Sequence, residues 1–310
     1  MHGKGGYIHL FNEQISNEQD WEGVFQSIPI FMPLIENIFM TENLPFSKIE
    51  NLTPGTNAVF KAGRYVIKIY APDESGIDQR DLTEHGVSYQ TDLFAIQRAN
   101  SLNIPALKKV ANGFIEDKYL FYYIITEYIE NIDLPDLTDA EKITLGRKLR
   151  NITDIMNTPC EPFNNIDVIN DAKRWRCWDN YPESFIKERL AYIKSNPYGE
   201  NVFVYGDLCG DNILLTPDGE VYIIDHNAVL APKVYEHAAL ALDSGLDPVI
   251  MKGFFEDYTR DDFIETCLSG LLILDYDPEY VEEIIGTPDN FHTPNDLRES
   301  LKRNIKIVPA

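Results

Sequence analysis

The 310-residue sequence is poor in the residues that build metal clusters or cross-linked scaffolds. Its four cysteines form no CxxC pair, and its six histidines are too widely spaced for a HExxH-type ligand set. This pattern disfavours a zinc site and a disulfide framework. No stretch approaches the roughly 18–20 consecutive apolar residues that a membrane-spanning helix needs. The first residues contain no basic segment followed by an apolar one, so we expect no secretion signal and a cytoplasmic protein.

Positive charge is scarce as well. The chain has 27 Lys and Arg against 50 Asp and Glu, which gives a formal charge of −23. Such a surface disfavours nucleic acid and anionic membranes as partners, because both require clustered basic residues. Residues 201–300 alone carry 4 basic and 21 acidic side chains, a net −17. This excess could attract a cationic ligand, or it could serve only solubility.

The pattern of apolar residues predicts an α+β protein with two lobes. Short β-branched and aromatic runs separated by turn residues are typical of antiparallel hairpins, and they recur within residues 49–128. A polar segment at residues 73–81 and a predicted helix from Glu84 to Ser101 interrupt them. Helical periodicity dominates residues 129–310. We therefore expect a small antiparallel-β lobe followed by a larger, mainly helical lobe. Residues 1–48 are predicted to form a helical extension in which Pro29 and Pro33 break the helical pattern.

The stretch Val204–Leu215 carries the clearest chemical signal. Asp207 and Asn212 lie five positions apart in a polar segment between two apolar runs, and Asp225 ends another apolar run further on. Phosphoryl transfer needs a carboxylate that orients a hydroxyl nucleophile, together with oxygen ligands for Mg²⁺. We therefore assign Asp207 as the candidate catalytic residue and Asn212 and Asp225 as the candidate magnesium ligands. Taken singly, each could instead be a cap or turn residue.

This stretch resembles the catalytic loop and metal-binding strand of the aminoglycoside phosphotransferase and choline kinase superfamily. The pattern there is H-G-D-x-x-x-x-N, with a further Asp after an apolar strand, and only Tyr205 departs from it, in place of the usual His. The resemblance implies a bilobal protein-kinase-like fold. It also implies a phosphotransferase that uses ATP or GTP and Mg²⁺ and acts on a hydroxyl of a small, cationic, amine-bearing molecule.

The resemblance further implies a nucleotide-binding side within residues 49–128. Lys68, flanked by apolar strand residues, would bind phosphates and pair with Asp92 on the next helix. Because Asp is shorter than Glu, this pair could be long or water-bridged, or Glu84 could replace Asp92. A turn before the Lys68 strand would approach the phosphates of the nucleotide. The segment after the last strand of the lobe would contact the nucleotide base. These residues are Thr53, Gly55, Thr56 and Asn57 in the turn, and Glu127, Tyr128 and Ile129 opposite the base.

Two other functions remain open from the sequence. A protein kinase predicts a GxGxxG loop, a D-F-G and an A-P-E, but the chain has Asp225-His226-Asn227 and no A-P-E. A catalytically inactive nucleotide-binding pseudokinase is disfavoured because the base and metal positions are all filled. The resemblance also implies a residue after the metal Asp that braces the catalytic loop, and either Glu236 or His237 could fill this position. The acidic residues between 256 and 298 could contact an amine or form a solvated face.

Overall fold

The computed structural model describes residues 9–53, 55–72, 87–173, 176–196, 198–243, 245–274 and 278–305. The chain divides into two compact units. Unit 1 consists of residues 1–93 and 107–129, and unit 2 of residues 94–106 and 130–310. Within the described ranges, no helix is both long enough and apolar enough to cross a lipid bilayer.

Unit 1 is built on one five-stranded antiparallel sheet with the strand order β1-β2-β3-β5-β4. Buried and half-buried positions alternate along β2 and β3, as expected for strands with one face in a core. The predicted succession of hairpins is confirmed. The strands are β1 (Ile49–Asn51), β2 (Ala58–Ala62), β3 (Tyr65–Ile69), β4 (Lys109–Glu116) and β5 (Leu120–Glu127).

Two helices precede the sheet, α1 (Glu18–Glu22) and α2 (Ile28–Thr41). The expected breaks at Pro29 and Pro33 are wrong, because α2 runs through both. Pro29 lies in the first turn, where its missing N–H costs no intrahelical bond. Pro33 removes one internal bond, and burial of one apolar face offsets that loss. The buried residues of this face are Phe31, Leu34, Ile35, Ile38 and Phe39, which pack with the sheet in one core.

Helix α3 (Val87–Ser101) belongs to both units, because the division falls between Leu93 and Phe94. The predicted start of this helix at Glu84 and the preceding polar segment, residues 73–81, lie outside the described residues. The second half of α3 contributes Ala95 and Ala99 to the core of unit 2.

Unit 2 is mainly helical, as predicted. Its first long helix begins at a capping box, in which the Thr138 side chain accepts from the Glu141 N–H and the Glu141 carboxylate accepts from the Thr138 N–H. The helices are α4 (Asp139–Met156), α5 (Val168–Ala172), α6 (Glu183–Ser195), α7 (Lys233–Asp243), α8 (Pro248–Phe254), α9 (Arg260–Leu271), α10 (Pro278–Ile285) and α11 (Pro294–Asn304).

Two short β-ribbons in unit 2 position the residues of interest. β6 (Asn201–Val204) pairs with β9 (Val229–Pro232), and β7 (Ile213–Leu215) pairs with β8 (Val221–Ile223). The loop from β6 to β7 and the loop from β8 to β9 are therefore flanked by the same two ribbons. This pairing places the two loops beside each other.

Candidate active site

The β6–β7 loop holds Asp207 in a defined orientation. The side-chain nitrogen of Asn212 donates to the Asp207 carboxylate at 2.9 Å and to the Asp207 carbonyl oxygen at 3.0 Å. Asn212 is buried, whereas Asp207 is exposed. Because an amide has separate donor and acceptor ends, these bonds use only its nitrogen. Within the described residues nothing donates to the Asn212 side-chain oxygen, so it can serve as a cation ligand.

Asp225 follows β8 and lies close to this loop. The Ile224 N–H donates to the Asn212 carbonyl oxygen at 2.9 Å, which joins the two loops directly before Asp225. Asp225 has a φ of 53°, a left-handed conformation that Asp tolerates better than most residues. The pair therefore offers an amide oxygen and a carboxylate.

This donor set fits Mg²⁺. Magnesium takes one or two protein carboxylates and fills its remaining positions with water and phosphate oxygens. In the described part of the chain, no group of three or more His, Cys, Asp and Glu side chains could hold a metal ion. A tight all-protein cage of such residues is thus not formed there, and the Asn212–Asp225 pair suits a cation that arrives with phosphates.

The two loops also interlock through Tyr205 and Gly206. The Tyr205 ring stacks on His226 with 5.6 Å between centroids and 23° between planes. Gly206 has a φ of 75°, and a Cβ at this position would overlap the carbonyl oxygen of Asn227. Burial raises the pKa of Tyr205, so the ring stays neutral and acts as an aromatic spacer between the loops.

Glu236 on α7 braces the loop from inside unit 2. Its carboxylate accepts from the backbone N–H of Tyr205 at 2.6 Å and of Gly206 at 3.3 Å. It also accepts from the Asn157 side chain at 3.2 Å. Burial raises the pKa of Glu236 to about 7, although these hydrogen bonds oppose the shift. Of the two bracing candidates that the sequence left open, Glu236 makes the contact.

His237, the other candidate, faces elsewhere. Its Nδ1 lies 2.7 Å from the Tyr258 hydroxyl oxygen, and its ring packs edge-on against Phe254. Burial lowers the pKa of His237 to about 3, so the ring is neutral at physiological pH.

In unit 1, Lys68 and Asp92 form a direct ion pair. The Lys68 ammonium lies 2.6 Å from Asp92 Oδ2, so the pair is neither long nor water-bridged. The Tyr70 hydroxyl donates to the same carboxylate oxygen at 2.5 Å. Sequence reasoning missed Tyr70, although residues two apart in an extended segment face the same side. Glu84, the alternative partner, lies outside the described residues.

The β1–β2 turn is exposed where the sequence places the phosphate-binding residues. Thr53, Gly55 and Thr56 are all exposed, and Pro54 is outside the described residues. The Asn57 side-chain oxygen accepts from the Ala71 N–H at 3.3 Å. This bond connects the turn to the residues that follow β3.

Among the described residues, one backbone N–H just after β5 is available to hydrogen-bond to a nucleotide base. The Glu127 N–H donates to the Lys108 carbonyl at 3.0 Å, and the Tyr128 N–H donates to the Arg64 carbonyl at 2.9 Å. Neither amide is available for further bonding. The N–H of Ile129 has no hydrogen-bond acceptor among the described residues, so it is the candidate donor of this segment.

Several acidic side chains of residues 256–298 have structural partners. Asp257 pairs with Arg150, and Glu265 pairs with Arg298. The Asp262 carboxylate accepts from the backbone N–H and the hydroxyl of Thr259, the N-cap residue of α9. These carboxylates line a shallow pocket of about 420 Å³, but their ion pairs and cap already explain them. We therefore assign no acceptor contact among them.

Solved structures with a fold similar to that of this chain include several small-molecule kinases. The microcompartment-associated aminopropanol kinase is 13% identical with a TM-score of 0.55, covering 87% of this chain and 93% of that one. The GDP and kanamycin complex of APH(2")-IIia is 14% identical with a TM-score of 0.57, covering 87% and 99%. Choline kinase LicA from Streptococcus pneumoniae is 16% identical with a TM-score of 0.50, covering 87% and 96%.

No protein-family profile matches the sequence, and no curated protein matches it at a significant level. At 13–16% identity, the likeness to the solved structures establishes the fold. The chain thus has the bilobal α+β fold of aminoglycoside phosphotransferases and choline kinase. This confirms, at the level of the fold, the resemblance seen in the catalytic-loop motif.

Proposed function

We propose that this protein is a phosphotransferase that uses ATP or GTP with Mg²⁺ and phosphorylates a hydroxyl of a small molecule. The observation that carries the proposal is the pair of bonds made by Asn212: its side-chain nitrogen holds the Asp207 carboxylate, and its backbone carbonyl accepts from the Ile224 N–H directly before Asp225. One residue thereby couples the base position to the metal position. A turn or cap residue would not need this arrangement.

Asp207 would accept the proton of the acceptor hydroxyl. As that oxygen bonds to the γ-phosphorus, the bond from the γ-phosphorus to the β–γ bridging oxygen breaks, and the nucleoside diphosphate leaves. Exposure of Asp207 lets an acceptor reach it, and the Asn212 bond keeps the carboxylate from rotating. Alignment of this kind is the main protein contribution to phosphoryl transfer.

Asn212 and Asp225 would hold Mg²⁺, which when bound neutralises phosphate charge. Lys68 would bind the phosphates, with its ammonium kept in place by the carboxylate of Asp92. Because Tyr70 donates to the same carboxylate, Asp92 is held in its orientation towards Lys68. The turn with Thr53, Gly55, Thr56 and Asn57 would contact phosphate, and the segment Glu127, Tyr128 and Ile129 would contact the base.

A cationic, amine-bearing acceptor is the substrate class that we favour. The net −17 of residues 201–300 supports it, since these residues belong to the unit that carries Asp207. Similar solved structures include a complex with kanamycin, a choline kinase and an aminopropanol kinase, whose named ligand or substrates all carry an amino or quaternary ammonium group. ATP and GTP are cytoplasmic metabolites, and a cytoplasmic location remains a prediction.

The decisive test replaces Asp207 and Asp225 separately by Asn. Turnover of ATP or GTP is measured with a panel of amino alcohols, choline and aminoglycosides, with product phosphorylation detected by mass spectrometry. Loss of a positioned base typically costs about 10²–10⁴-fold in rate, so we expect at least about a hundredfold loss in Asp207→Asn. Asp225→Asn should also lose turnover, because it removes the carboxylate that would hold Mg²⁺. Folding is checked by thermal unfolding.

Asp211→Asn is the matched control. Asp211 is an exposed carboxylate on the same loop, next to Asn212, and the substitution makes the same change of charge. We expect its turnover to stay within about twofold of the wild type, as for surface changes in general. Equal activity of Asp207→Asn and Asp211→Asn would contradict the assignment. Nucleotide binding without transfer to any acceptor would instead favour the pseudokinase.

A further inference from the structure

Residues 9–22, which we call the N-terminal strap, are tied to the turn between β4 and β5. The Phe11 N–H donates to the Asp117 carboxylate at 3.0 Å. The Tyr119 hydroxyl accepts from the Ile15 N–H at 2.7 Å and donates to the Ile15 carbonyl at 3.2 Å. Lys118 donates to two strap carbonyls between these points, at 2.8 and 3.1 Å. Three consecutive turn residues thus hold the strap.

The other end of the strap reaches the β1–β2 turn. The indole N–H of Trp21 donates to the Thr56 carbonyl at 2.8 Å. Trp21 is only 1% exposed, and its ring packs edge-on against Phe31 at 5.8 Å and near Phe25 at 6.3 Å. Because the core fixes the ring, the N–H is a fixed donor.

The sheet register shows that the strap joins two turns at the same end of the sheet. Ala58, the first residue of β2, pairs with Ile69 at the end of β3. Ile69 pairs with Tyr123 near the start of β5, and Leu120 pairs with Glu116 at the end of β4. The β1–β2 turn and the β4–β5 turn therefore lie at one end. The strap links the turn beside the β4 edge to the turn beside the β1 edge.

A planar trans peptide carries its C=O and the following N–H in opposite directions. With the Thr56 carbonyl held by Trp21, the Asn57 N–H must point away from the indole. Nothing accepts from this N–H within the described residues, and the Asn57 side chain is itself held by Ala71. Backbone N–H groups of turns are the groups that bind phosphate. The strap thus presents an available amide in the β1–β2 turn.

We propose that the N-terminal strap positions this turn for nucleotide phosphate and that Trp21 is its positioning residue, an inference that rests on the proposed nucleotide-dependent function. Trp21 touches no substrate and acts through the Thr56–Asn57 peptide. Loosening the strap should therefore weaken nucleotide binding and leave the chemical step unchanged.

The test is Trp21→Phe, which keeps an aromatic ring and removes the donor. A hydrogen bond of this kind contributes about 0.5–1.5 kcal/mol, so we expect the Kd and KM for MgATP or MgGTP to rise about two- to tenfold. The kcat should stay within about twofold. Amide hydrogen exchange in residues 55–60 of the nucleotide-free protein should quicken. Tyr119→Phe, which releases the other end of the strap, should raise the Kd less, in the same direction.

Phe25→Leu is the matched control, since Phe25 contacts the same aromatic cluster and makes no bond to the turn. It should lower stability and leave the Kd unchanged. An unchanged Kd in Trp21→Phe, or an equal rise in Phe25→Leu, would overturn the proposal.

If the wild type binds neither ATP nor GTP, the proposed function is wrong, and the nucleotide role of the strap is lost with it. Hydrogen exchange then tests only whether Trp21 holds the Thr56–Asn57 peptide in place. Unchanged exchange in Trp21→Phe would overturn that part of the proposal as well.

Discussion

The loop that carries Asp207 and the turn that carries Thr56 are held in place by different means. The first is fixed by the buried carboxylate of Glu236 and by direct packing of Gly206 on Asn227. The second is exposed and held by the indole N–H of Trp21 on the Thr56 carbonyl and by the Ala71 N–H on the Asn57 side chain. Interior contacts cannot be replaced by water, whereas an exposed carbonyl that loses its donor can bind water instead. We therefore expect substitutions in the first region to cause large losses of stability and turnover. Substitutions in the second region should cause smaller, graded changes in nucleotide affinity.

The largest effect should come from Gly206→Ala. A left-handed φ costs a non-glycine residue about 1–2 kcal/mol, and the added Cβ would also overlap the Asn227 carbonyl. We expect a loss of about 4 kcal/mol or more in the free energy of unfolding, with loss of turnover. Urea denaturation measures the first and the acceptor panel the second.

Gly199→Ala separates the two causes. Gly199 also has a positive φ, 85°, but no atom of the described residues would lie within 4 Å of a Cβ there. It should lose only about 1–2 kcal/mol and keep full activity. If both alanine variants lost the same stability, the contact with Asn227 would have no role in holding the loop.

The second-largest effect should be the pH dependence that Glu236 gives to the free energy of unfolding. Burial raises its pKa from 4.5 to about 7 in the folded protein, so the native state binds more protons than the unfolded state between these values. The contribution of this group is fully present below pH 4.5 and is lost as the pH rises through 7. Relative to Glu236→Gln, which stays neutral, the wild type should lose roughly 3 kcal/mol between pH 4.5 and 8.

Urea denaturation of both proteins at pH 5 and pH 8 measures this difference. His237, with its lowered pKa, destabilises the fold as the pH falls from 6.5 towards 3, but it is present in both proteins and cancels. Parallel stability curves for the wild type and Glu236→Gln would show that Glu236 does not titrate in this range.

The smallest effect should come from Tyr70→Phe. Removing the hydroxyl that donates to Asp92 should cost about 1–2 kcal/mol of stability, because the acceptor is charged. It should also raise the nucleotide Kd about two- to fivefold through the loosened Lys68–Asp92 pair. Tyr89→Phe is the control, since its hydroxyl accepts from Asn112 and not from this pair. A similar change of Kd in both variants would contradict a specific role for Tyr70.

Much of the candidate site could be predicted because it is local in sequence. Asp207 and Asn212 share one loop, and Asp225 follows a hairpin whose turn, residues 217–219, is evident from Pro, Asp and Gly. The sequence could not show whether Glu236 or His237 braces the loop that carries Asp207. Neighbouring helix positions point about 100° apart, so only one can reach the loop, and the sequence does not say which.

The N-terminal strap was beyond sequence reasoning for a different reason. Residues 9–17 form no helix or strand, so no periodicity marks them. The bond from Trp21 to Thr56 joins positions 35 residues apart through one polar atom of an otherwise apolar ring. Likewise, the sequence left open whether the Lys68–Asp92 pair is direct, because that distance depends on the spacing between β3 and α3 in the folded chain.

The division within α3 has a consequence for synthesis on the ribosome. All residues of unit 1 have been made once Ile129 is added, but residues 94–106 have by then been made without most of their own unit. Their apolar side chains, among them Ala95, Ala99 and Ile104, join a core whose last members are as late as Leu301. The nascent chain must therefore carry this segment uncovered while some 170 further residues are translated, about 10–30 s at typical rates. We expect this interval to be the one in which chaperones are needed.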